Sequence, residues 1–98
     1  MKILPTETLL TGKWLLKDGR LVADEVCNRI SELTTCHLRE LSRDPSGWDV
    51  LYRDPDDGRL WELVFPESDL HGGGPPELRH IFTEQAKEKY GDVVSTLG

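Results

Sequence analysis

Between Trp14 and Val22 the chain reads WLLKDGRLV, with apolar residues on both sides of an Asp-Gly pair. Asp18-Gly19 supplies the positive φ angles of a two-residue primed turn, so this stretch predicts a β-hairpin. Asp24 then stands where a carboxylate can accept the free amides of a first helical turn. Val26, Ile30 and Leu33 follow at the spacing of one helical face, with Cys27 beside them, which predicts a helix from about Asp24 to Leu33. TTCHLRELSR (34–43) reads as a strand with helix extension as its competitor, and DPSG (44–47) as a turn. In WDVLYRD (48–54), Trp48, Val50 and Tyr52 alternate with Asp49, Leu51 and Arg53, the period of a strand. After a PDDG turn (55–58), RLWELVF (59–65) sets Trp61, Leu63 and Phe65 on one face and Leu60, Glu62 and Val64 on the other. Pro66 ends that run, RHI (79–81) reads as a short extended segment, and Thr83 reads as the cap of a polar helix that Gly91 terminates. These elements predict an α+β fold: an antiparallel β-meander with an N-terminal hairpin, one helix packed on the sheet and a short C-terminal helix.

Length changes this picture little. Ninety-eight residues with 37% apolar content suit one domain over 1–98, with a small core and no room for a deep cofactor pocket. Of Trp14, Trp48 and Trp61, at least two are expected in that core. Charge changes it more. The net charge is −6, and between Asp44 and Glu77 nine acids face only Arg53 and Arg59. Nucleic acid and anionic membrane both need a basic footprint and are not expected as partners. An acidic third of the chain serves either as a solvated face or as a landing surface for a basic partner. No apolar run is long enough to span a membrane, and MKILPTETLL lacks a signal peptide's apolar core. Cys27 and Cys36 are expected to be reduced thiols in a cytoplasmic protein.

Candidate chemistry is sparse. HGGG (71–74) resembles the oxyanion loop of some esterases, but such an enzyme needs a G-x-S-x-G elbow, and no serine here has those glycines. A small hydrolase using that loop is kept only as an alternative. Pro75 and Pro76 follow the glycines and have no amide hydrogens for a phosphate. Cys27, Cys36, His37, His71 and His80 show none of the close spacings of zinc sites, so no metal or cofactor is expected. Asp54, Asp56 and Asp57 fall in or beside a turn, where aspartate favours bonds to its own backbone, and no catalytic residue is assigned.

From Gly47 to Ile81 the sequence resembles the bacterial immunity protein 27 family, found beside polymorphic toxins. The resemblance lies in Gly47-Trp48, Leu51-Tyr52-Arg53-Asp54-Pro55, Asp57-Gly58-Arg59, Trp61-Glu62 and His71-Gly72-Gly73-Gly74-Pro75-Pro76. Gly12, Trp14, Asp24, Cys27, Arg29 and Ile30 upstream, and Ala86, Lys89, Tyr90 and Gly91 downstream, fall at the family's spaced positions. The resemblance implies a protein without catalysis that neutralises a cognate toxin domain. Such toxins are often basic nucleases, so the acidic third gains a purpose. Asp49, Asp54, Asp56, Asp57, Glu62, Glu67, Asp69 and His71 are expected to include the partner-binding residues, in a complex where this chain is a monomer. A self-associating structural module, pairing through an open sheet edge, is the other alternative.

Overall fold

The computed structural model describes residues 2–66 and 74–91. Five strands form one antiparallel sheet: β1 (Leu9–Thr11), β4 (Arg39–Arg43), β5 (Val50–Arg53), β6 (Leu60–Val64) and β7 (Glu77–Ile81), in the order β1-β7-β6-β5-β4. The separate hairpin pairs β2 (Trp14–Lys17) with β3 (Arg20–Ala23). Helix α1 spans Glu25–Glu32 and helix α2 spans Thr83–Tyr90. The α+β reading, the hairpin, the meander of β4, β5 and β6 and both helices are all present.

Local chemistry accounts for the elements. At the hairpin tip Asp18 has φ 52° and Gly19 φ 78°, the two left-handed residues that match the twist of paired strands. Asp24 Oδ1 accepts the Cys27 N–H at 2.8 Å and so caps α1. The 34–43 stretch resolves its own ambiguity by dividing. Leu33–His37 continues α1 as a π-helical turn, closed by the Leu38 N–H donating to the Leu33 carbonyl at 2.7 Å. The strand β4 starts only at Arg39 and is bulged between Glu40 and Ser42. Phe82, not Thr83, is the residue that precedes α2, and its N–H donates to Gln85 Oε1 at 2.9 Å.

The sheet is covered on both faces. On one face Ile30 and Leu33 from the α1 side pack with Leu10, Val50, Tyr52, Trp61 and Leu78. On the other, Leu51, Leu60 and Ile81 pack with Ala86 of α2, and the bulge adds half-buried Leu41. The alternation in β5 and β6 therefore separates two cores rather than a core from solvent. The expectation that two tryptophans are core is corrected. Trp61 is fully buried, but Trp14 is partly exposed and Trp48 is 62% exposed. Trp48 lies before β5, in the turn, where strand alternation no longer fixes its direction; its ring meets Phe65 edge-on at 6.0 Å.

Candidate functional site

Strand register decides where the acidic residues go. Arg43 pairs with Val50, Val50 with Leu63, and Glu77 with both Val64 and Thr11, so these residues mark one end of the sheet. Arg53, Leu60 and Ile81 mark the other. Asp49 thus lies at the first end, while Asp54, Asp56 and Asp57 lie at the second, about 13 Å away along a four-residue strand. Residues contiguous in sequence are divided because a meander reverses direction at each turn. Glu67, Asp69 and His71 fall outside the described residues, as do Gly72 and Gly73.

Glu62 lies on the α2 face of β6 and is 2% exposed. Its Oε1 accepts Arg79 Nε at 3.0 Å, and its Oε2 accepts the Tyr90 hydroxyl and Lys89 Nζ, both at 2.6 Å. Lys89 also reaches Asp49 Oδ2 at 2.6 Å, so one ammonium ties α2 to β6 and to the start of β5. Burial alone would raise the Glu62 pKa, but the bonds from Lys89, Tyr90 and Arg79 outweigh it and hold the carboxyl below its usual range. The same burial, with Glu62 beside it, pushes the Tyr90 phenol up. In the free chain Glu62 presents no charge to solvent; it holds the second helix on the sheet.

At the opposite end the β5–β6 turn is held by its own acids. Asp54 is 1% exposed, and its Oδ1 accepts the Asp56 N–H at 2.8 Å. Asp57 accepts Arg59 through the backbone N–H at 2.9 Å and through Nε at 2.7 Å. Arg59 also donates to the carbonyls of Glu7 (2.7 Å) and Leu4 (3.0 Å), which clamps the N-terminal segment across the turn. Glu7 in turn holds Arg29 of α1 with both oxygens. His37, at the end of the π-helical turn, brings Nε2 to 3.2 Å from Asp54 Oδ1 and 3.3 Å from Asp56 Oδ2. Asp56 is the most open of these acids, with Lys2 Nζ at 3.9 Å. Much of the acidity counted in the sequence is therefore met by cations drawn from outside the acidic segment.

One surface feature was not foreseen. The hairpin carries Leu15, Leu16 and Leu21 at 50–76% exposure, with Trp14 also partly exposed. Leu16 and Leu21 are cross-strand partners and lie on one face. Because Thr11 ends β1 beside Glu77, the chain enters the hairpin from the same end of the sheet as Trp48. The clue in the sequence was that apolar residues in WLLKDGRLV occupy adjacent as well as alternate positions, more than one core-facing face can hold.

The family model described as Immunity protein 27 matches residues 16–82, more than half of the chain. No curated protein and no solved structure matches it. Among the described residues no helix is long and apolar enough to cross a membrane.

Proposed function

The chain belongs to the immunity protein 27 family, and from that premise we propose that it binds a cognate bacterial toxin domain and stops it by occlusion in a tight one-to-one complex. The observation that carries this reading is the exposed apolar hairpin. Solvent-facing leucines on a two-stranded ribbon are costly to leave in water and are the kind of surface a protein partner covers. Leu16, Leu21 and Trp48 supply apolar anchors at that end of the sheet. Asp56 and Asp57 supply negative potential at the other, while Asp54 and Glu62 hold the scaffold. Glu67, Asp69 and His71, outside the described residues, remain proposed contacts. A net charge of −6 suits a basic toxin, which in this reading is a nuclease acting in the cytoplasm. The chain itself carries out no catalysis.

Co-expression with the toxin domain encoded beside this chain tests the proposal. Rescue of growth and co-purification at equal stoichiometry are expected. A fully lethal toxin with nothing recovered on pull-down rejects it. The exposed leucines of the two-stranded hairpin favour a second reading, pairing with another copy of this chain. A dimer in sedimentation that Leu16→Asp dissociates, with no toxin captured, would select that reading instead.

A further inference from the structure

His37, Asp54 and Asp56 meet beside the β5–β6 turn although the histidine and Asp54 lie 17 positions apart in sequence. One potential ligand atom from each lies within 4.8 Å of the others. We propose that these three side chains form a binding site for a single divalent transition-metal ion of the zinc class.

Three observations carry this. The first is spacing. A tetrahedral ion holding nitrogen and oxygen at about 2.0–2.2 Å sets its ligands about 3.3–3.5 Å apart. His37 Nε2 stands 3.2 Å from Asp54 Oδ1 and 3.3 Å from Asp56 Oδ2, near two of the edges of such a tetrahedron, and the third pair lies within 4.8 Å. The second is that two carboxylates converge on one ring nitrogen. An N–H at Nε2 points along a single direction and serves one of them well; an ion between the three atoms serves all. The third is Asp54 Oδ2. It is buried and has no hydrogen-bond partner among the described residues, on a side chain that is itself 1% exposed. A buried, half-satisfied carboxylate is costly, and a cation on the same group offsets that cost.

The surroundings suit an ion. The Asp56 N–H bond to Asp54 Oδ1, the Asp54 N–H to the Arg59 carbonyl (2.9 Å) and the Gly58 N–H to the Asp54 carbonyl (2.8 Å) fix the two aspartates against each other. The Asp56 side chain is 46% exposed, which leaves a solvent side for entry and for water to complete the coordination. Among the described residues Lys2 is the cation within ion-pair distance of this site, and its side chain is 74% exposed. An imidazole with two carboxylates selects a borderline ion such as Zn²⁺ or Co²⁺ over Ca²⁺, which takes six to eight oxygens.

Titration of the full chain, free of any affinity tag, with Zn²⁺ and separately with Co²⁺ tests this. Calorimetry is expected to give one site with a dissociation constant of about 10 µM or tighter. Co²⁺ is expected to develop visible absorption, and zinc at 100-fold excess over that constant to raise the unfolding midpoint by at least about 5 °C. Asp56→Asn, a change at an exposed carboxylate, is expected to weaken binding at least tenfold, and His37→Gln to abolish it. His80→Gln is expected to leave it intact. Absence of binding below 1 mM zinc overturns the proposal and leaves the histidine as a hydrogen-bonding partner of the two aspartates. Binding unchanged in Asp56→Asn also overturns it, by locating the ion elsewhere. Should His37→Gln fail to fold, the wild-type and Asp56→Asn titrations decide alone.

Discussion

At the scale of single residues, ionised groups hold this fold at two places. Glu7 accepts both terminal nitrogens of Arg29, and that bond holds its carboxyl down at about 2 against an ordinary value of 4.5. A depressed carboxylate pKa contributes stability that is fully present above the unfolded value and disappears as pH falls through the folded one. Glu7→Gln is therefore expected to lose about 1.5–3 kcal/mol at neutral pH, the range for hydrogen bonds to charged groups. The gap to wild type should close between pH 4.5 and about 2. Urea denaturation at successive pH values measures this, and parallel curves for the two proteins would rule it out. Glu62 has more at stake, because Arg79 and Lys89 lose their partner with it. Glu62→Gln is expected to cost about 3–5 kcal/mol, as when one member of a buried pair is removed. The Tyr90 phenol, raised first by burial and then by Glu62, should titrate lower in that variant if it stays folded. An unmoved Tyr90 absorbance titration would mean that the carboxylate does not act on it.

At the scale of elements, close approach matters as much as pairing. Gly12 joins β1 to the hairpin, and its N–H donates to the Pro76 carbonyl at 2.9 Å. A β-carbon there would stand 2.5 Å from Cys27 Sγ and 2.8 Å from the Pro76 oxygen, so α1 and the segment leading into β7 leave no space for one. Gly12→Ala is expected to destabilise by about 1–3 kcal/mol, the usual cost of overpacking; an unchanged urea midpoint would show that the backbone yields freely. Elements with strong local signals were legible: the Asp18-Gly19 turn, the Asp24 cap and the alternation in β5 and β6. Strand β1 was not, since LLT has three residues and no alternation to read, and it exists because β7 offers a partner edge. The second core was hidden for a different reason. Strict alternation shows that two faces differ, but not whether the second is covered, and only Ala86 meeting Leu51, Leu60 and Ile81 decides that. The division of the acidic segment between two ends was not legible, because sequence spacing carries no sign of which turn lies at which end of a sheet. His37 joined Asp54 and Asp56 through a π-helical turn that no spacing rule anticipates.

At the scale of the whole molecule, the proposed binding surface gives Asp56 and Asp57, at the turn end of the sheet, and the exposed hairpin leucines, reached from the other end, different parts to play. Long-range negative potential accelerates encounter with a basic partner and is weakened by salt, whereas apolar anchors hold the complex once formed. Substitution should separate these effects. Asp56→Lys combined with Asp57→Lys is expected to slow association with the toxin domain several-fold at low salt and to flatten its salt dependence, with dissociation little changed. Asp54 is left intact in this variant, because a lysine at a buried site would disrupt the turn rather than test the surface. Leu16→Asp combined with Leu21→Asp alters two exposed partners on one hairpin face, so the fold should persist while dissociation accelerates at least tenfold. Surface plasmon resonance across a salt series reads both rates directly. If the lysine pair alters only dissociation, the turn end is a contact surface and not a steering one. If the hairpin pair leaves dissociation unchanged, the leucines face solvent in the complex too, and the toxin is held by another part of the chain.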